Sequence, residues 1–228
     1  MKKTWLIPSL VCALPSVPAE AGTGLIDTSA TSAEITAMAI FASCVAQDAP
    51  LADEFLETLP GGARAKKLRE RLTQLPCIPA GIKKPDESWV LRGSLYETRW
   101  KAKYPGPLPA SFAGVGWVDY AFPEGTFDEK RFDGREMANG HVSKLMLDYA
   151  DCIVRTQPQG AVSLLSTPVA SSPERAVAKA LAPSLSSCLS KGAKMNLRIW
   201  LLRAHIAEAV FKLSEVKNGV PGLTKVSQ

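Results

Sequence analysis

Leu91-Arg92-Gly93-Ser94-Leu95-Tyr96-Glu97 and Leu202-Arg203-Ala204-His205-Ile206-Ala207-Glu208 carry the same Leu-Arg-x4-Glu frame, 111 residues apart. Upstream of each frame stand a cysteine pair and a proline, in the same order. Cys44 and Cys77 are 33 residues apart, Cys152 and Cys188 are 36 apart, and Pro50 and Pro158 each lie six residues after the first cysteine of a pair. The segment after each proline matches as well, Phe55-Leu56-Glu57-Thr58 against Leu164-Leu165-Ser166-Thr167. An ordered set recurring in this way marks an internal repeat. The expected fold is all-α: two diverged copies of a four-helix unit, each with one intra-repeat disulfide, joined by an aromatic-rich irregular insertion.

Within the frames, Arg92 and Glu97, like Arg203 and Glu208, are five residues apart, a spacing that does not place both on one helix face. Each is therefore expected to contact another helix. Two equivalent ligand sites are one reading; buried or half-buried ion pairs that set helix register are the favoured one. His205 and Glu208, three apart, share a face, and a polar edge is favoured over an acid–base pair because Ser94 stands where His205 does in the other copy.

Working outward, Thr31-Ser32-Ala33-Glu34 forms a capping box that opens a helix to about Gln47. Asp48 and Pro50 start a short helix that ends by Pro60-Gly61-Gly62. Leu68, Leu72 and Leu75 mark an amphipathic helix from Ala63, stopped by Pro76. Asp86 caps a fourth helix to about Lys103. In the second copy a helix runs from about Asn139 to Gln157, and a short one follows Pro158. A third opens at Ser172-Pro173-Glu174, which Pro183 should kink or end. Asn196 caps the last helix, and Asn218-Gly219 ends it. Its front half is apolar nearly all round and so should be central.

The ends and the middle complete the organisation. Lys2 and Lys3, the apolar run Trp5 to Val17 and the small residues of Ala19-Glu20-Ala21 predict a secretory signal peptide over residues 1–21, cleaved after Ala21. Repeat 1 then covers 22–103, the insertion 104–138 with one short hairpin, repeat 2 139–219, and a flexible tail 220–228. Cys12 falls inside the signal, so four cysteines remain, and an even count in an exported chain reads as two disulfides. Three connectivities are open, and the repeat favours Cys44–Cys77 and Cys152–Cys188. Removing Lys2, Lys3 and Glu20 from 27 basic and 22 acidic residues leaves a mild excess of positive charge. That is weak ground for nucleic-acid binding.

The Cys-x5-Pro opening, the later cysteine and the Leu-Arg-Gly-like start of the last helix resemble small exported, Cys-paired helical-repeat proteins of Gram-negative bacteria. The resemblance covers both repeats and not the insertion. It implies a periplasmic or secreted compartment and a helical architecture, and it carries no activity.

Catalytic motifs are missing from the sequence: there is no GxSxG, HExxH, P-loop or GxGxxG string, and Asp128 and Asp133 do not make a Ca²⁺ loop. No metal or cofactor is expected. Trp117, Tyr120, Phe122, Phe127 and Phe132 form the candidate contact site, with a seam between the repeats as the blander reading. Arg64, Lys66, Lys67, Arg69 and Arg71 form a candidate anionic-surface patch. The expected function is an exported, non-catalytic helical binding or structural protein of the periplasm or cell envelope. Its partners would be an unknown protein or an envelope polymer, with weak contact to an anionic membrane surface and no nucleic acid. The alternative is an envelope hydrolase using Asp119, Glu124 and Asp128.

Overall fold

The computed structural model describes residues 31–58, 60, 62–77, 88–106, 111, 112, 114–116, 118, 134–189 and 198–219, without the side chains of 88 and 134–143. The described residues form α1 (Ser32–Val45), α2 (Ala49–Leu56), α3 (Ala63–Leu72), α4 (Ser88–Lys103), α5 (Gly134–Thr156), α6 (Pro158–Ser166), α7 (Ser172–Ala180), α8 (Ala182–Ser187) and α9 (Ile199–Lys217). The fold is all-helical. Among the described residues, no single helix is long and apolar enough to cross a membrane.

Helix starts follow the local chemistry. Thr31 Oγ1 accepts from the Glu34 amide at 3.3 Å, and Glu34 returns the bond to the Thr31 amide at 2.9 Å. Asp48 accepts from Leu51 N–H at the head of α2, and Ser171 from Glu174 N–H at the head of α7. Pro183 has no N–H to offer the Lys179 carbonyl, and the third helix of the second half accordingly breaks into α7 and α8. Gly219, at φ +76, takes the left-handed conformation just past the end of α9.

Three boundaries differ from expectation. α5 begins at Gly134, not Asn139, because Arg135-Glu136-Met137-Ala138 propagate a helix that nothing before Asn139 interrupts. α3 ends at Leu72, where Thr73 Oγ1 turns back to the Glu70 carbonyl, three residues before Pro76 would have stopped it. Arg198, in extended conformation, occupies the N-cap of α9; the expected cap, Asn196, lies outside the described residues, as do the signal peptide and the tail beyond Gly219.

α4 and α9 form the centre. α1 packs on α4 and α5 on α9, while α2 lies against α4 and α6 against α9. Every residue from Leu202 to Val210 is buried, which fits the expectation of a central last helix. Phe41, Phe55, Phe112, Leu91, Leu95, Ile153, Leu164 and Leu202 are almost fully removed from water. Each such side chain contributes about 1.5–3 kcal/mol.

Both disulfides form as the repeat favoured. Cys44–Cys77 ties α1 to the segment after α3, with a Cα separation of 5.5 Å. Cys152–Cys188 ties α5 to the end of α8 at 5.8 Å. Both separations lie in the usual disulfide range.

The central helices pack closely at Gly93, where an added Cβ would overlap the Cα and Cβ of Ala204. Gly93 and Ala204 occupy the same position in the two Leu-Arg frames. Replacing Gly93 with Ala is expected to cost roughly 1–3 kcal/mol of overpacking, despite alanine's better helix propensity. Urea unfolding checks this; an unchanged midpoint would mean that α4 and α9 separate freely there.

Candidate functional site

The two Leu-Arg frames meet face to face on α4 and α9, and their charges are exchanged between the helices. Arg92 of α4 holds Glu208 of α9 through Nε and Nη2, both at 2.8 Å. Arg203 of α9 holds Glu97 of α4 through Nε at 2.8 Å and Nη2 at 2.7 Å. Each carboxylate also takes a lysine one turn on: Lys212 reaches Glu208 at 2.8 Å and Lys101 reaches Glu97 at 2.6 Å. Each arginine is further anchored to its own half, Arg92 to the Thr58 carbonyl after α2 and Arg203 to the Thr167 carbonyl after α6. The favoured expectation of an ion pair setting register holds, and its partners are reciprocal.

Burial makes this lock matter. Arg92 and Glu208 are 3% and 2% exposed. A bidentate guanidinium–carboxylate pair with its remaining N–H groups satisfied is the arrangement in which desolvation is best offset. Burial pushes the Glu208 carboxyl up, but Arg92 and Lys212 outweigh it and hold the group below the usual carboxylate range. For Arg92, burial acts downward, and Glu208 and the Tyr96 hydroxyl reverse it to raise the guanidinium. Arg203 is raised in the same way against its burial, by Glu97 and Glu174.

His205 and Glu208 do not form a unit. The Glu208 oxygens are held by Arg92 and Lys212, while His205 Nδ1–H donates to the Leu201 carbonyl at 2.8 Å. The imidazole lies against Trp89, centroids 4.9 Å apart, and its buried Nε2 has no partner among the described residues. Burial pushes it below its ordinary value, more than Leu201 and Glu208 raise it. The unfolded chain therefore takes up a proton near pH 6.5 that the folded chain refuses, and stability falls as pH drops below ~6.5. Glu208 acts lower: its unfolded carboxyl protonates near ~4.3 while the folded one stays ionised, so a second loss sets in below that. Urea titrations from pH 8 to 3 should show both segments, and His205→Asn should flatten only the upper one. An unaltered upper slope in that variant would exclude His205 as its source.

The cleft beside the Arg203–Glu97 end is the part of this arrangement open to solvent. Its volume is about 240 Å³. One wall is Ala39 and Ser43 of α1, another is Ser94, Glu97, Thr98 and Lys101 of α4. The turn Thr167-Pro168-Val169 and Arg203 complete it. A smaller recess of about 10 Å³ shares Ser94, Glu97, Val169 and Arg203 with this cleft and is lined further by Val90, Gly93 and Trp200. Ser94 occupies in one Leu-Arg frame the position of His205 in the other; His205 packs against Trp89, whereas Ser94 and Trp200 both line the recess. The sequence placed Ser94 opposite His205, but the consequence needed the helix contact.

The candidate anionic patch lies on α3, whose Ala65, Leu68 and Leu72 face inward. Lys66 and Lys67 are exposed, Arg69 is half-buried, and Arg64 and Arg71 converge on Glu54 at 3.2 and 3.5 Å. The patch is thus partly neutralised by α2. Trp117, Tyr120, Phe122, Phe127 and Phe132 lie outside the described residues, as do Asp119, Glu124 and Asp128. Two described residues of that insertion, Phe112 and Val118, are buried, and Arg155 ties it to α5 by donating to the Val115 and Gly116 carbonyls, each at 2.9 Å. Val118 makes an isolated bridge; the remainder of the expected hairpin is not among the described residues.

No family model matches the chain, and neither a curated protein nor a solved structure is detectably similar to it.

Proposed function

We propose that this chain is an exported, non-catalytic helical binding or structural protein of the periplasm or cell envelope, delivered by a signal peptide over residues 1–21. The observation that carries the reading is the pair of disulfides, Cys44–Cys77 and Cys152–Cys188, one in each half. Structural disulfides of this kind persist in oxidising compartments and not in the cytosol. The charged start, apolar run and Ala19-Glu20-Ala21 site supply the route there. A non-catalytic role is supported by the use of the buried charges: Arg92, Glu208, Arg203, Glu97 and Glu174 all hold helices together.

The partner would be a protein or an envelope polymer, with Lys66 and Lys67 giving weak attraction to an anionic surface. Cell fractionation with N-terminal sequencing tests the reading. The protein should be found in the periplasm or medium, begin at or near Gly22, and contain no free thiol. A full-length cytosolic chain with all five cysteines reactive would overturn it.

A further inference from the structure

The cleft beside Arg203 has a lining whose chemistry is selective. Its charges are compensated: Glu97 accepts from both Arg203 and Lys101, and Arg203 gives another N–H to Glu174 at 2.9 Å. An ion entering would meet no unbalanced charge. The hydroxyl hydrogens of Ser43 and Thr98, both of which line the cleft, are committed to the Ala39 and Ser94 carbonyls, each at 2.9 Å, so both oxygens keep lone pairs able to accept. Trp200 lines the recess, and its indole Nε1–H, buried, has no acceptor among the described residues. A recess of about 10 Å³ is near the smallest space that takes one oxygen.

The wall formed by the α6–α7 turn is held rigidly. Ala170 sits at φ +57, a left-handed conformation that residues other than glycine rarely adopt. Its N–H is held by Glu174 Oε2 at 2.7 Å, and the other Glu174 oxygen accepts from Arg203. Backbone strain fixed in this way concentrates at ligand sites.

We propose that the cleft binds one neutral, hydroxylated ring, a single sugar residue, with one hydroxyl seated in the recess beside Ser94 and Trp200. A hydroxyl both donates and accepts, as the mixed lining requires. A volume of about 240 Å³ falls below the range of drug-sized pockets and suits one ring. The choice of a glycan residue over other polyols rests on the envelope reading above.

Titration of the purified, disulfide-intact protein with glucose, N-acetylglucosamine and glucuronate, followed by tryptophan fluorescence and ligand-observed NMR, tests this. The neutral sugars should bind with Kd values on the order of millimolar, and glucuronate more weakly. Ser94→His, which places the bulkier side chain of the other frame in this lining, should weaken sugar binding about tenfold or more. Should that variant misfold, Ser43→Val removes an acceptor at an exposed position and should also weaken binding. No saturable binding of either neutral sugar, tighter binding of glucuronate, or unchanged affinity in the folded variants would overturn the proposal. None of these results would alter the fractionation outcome, so failure of the sugar site and failure of the envelope role are separable.

Discussion

Glu208→Gln is expected to cost about 3–5 kcal/mol of unfolding free energy, because it leaves the Arg92 guanidinium buried without its counter-charge. Arg92 is only 3% exposed, so losing Glu208 leaves its charge buried between α4 and α9. Lys212 would lose its partner too, but at 13% exposure it can turn outward at smaller cost. The paired replacement Arg92→Met with Glu208→Leu should recover most of the loss, since it removes the desolvation penalty with the charges. An exposed pair is the contrast: Arg64→Ala, which breaks the bond to Glu54 at 67% and 39% exposure, should change stability by ~0–1 kcal/mol. Urea unfolding of the four proteins at pH 7.5 decides it. If Glu208→Gln fell within the range of Arg64→Ala, the exchanged pairs would be ornaments on an apolar contact.

Reduction is the second large effect. Closing loops of 33 and 36 residues should contribute roughly 3–4 kcal/mol each by the chain-entropy estimate, less any native strain. The two bonds lie in different halves and share no partner, so their effects should add. Together they rival the whole ~5–15 kcal/mol of a typical domain. Thermal melts with and without a phosphine reductant should therefore show a large fall in Tm, and Cys44→Ser with Cys77→Ser should reproduce part of it. A Tm unmoved by reduction, with all four thiols shown to be alkylated, would mean that the helix packing suffices alone.

Much of the fold was legible because it was written locally. Thr31 and Glu34 satisfy one another within a single turn, Asp48 and Pro50 shape the next start, and Pro183 denies a hydrogen bond to its own helix. Such features need only neighbours in sequence. The boundaries that moved, at Gly134, Leu72 and Arg198, lie where helix formers adjoin turns without a strong stop signal. Of the candidate site, the residues were legible and the partners were not. Arg92 and Glu97 were noticed as a recurring pair, yet Arg92 bonds Glu208 and Arg203 bonds Glu97.

The sequence by itself determined the all-helical class, favoured one of three disulfide pairings and set the demand that Arg92, Glu97, Arg203 and Glu208 find partners elsewhere. Five residues along a helix turn a side chain by about 140°, so neither arginine can reach the glutamate of its own frame. Only the tertiary structure decided which partners they take. Ala204 fits against the bare backbone of Gly93, and α4 and α9 thereby approach closely enough for charges 116 and 106 residues apart to meet at hydrogen-bond distance. The cleft has the same origin. Ser94 and His205 are neighbours only in the comparison of the two frames, and a short side chain becomes an opening only once another helix has been packed against it.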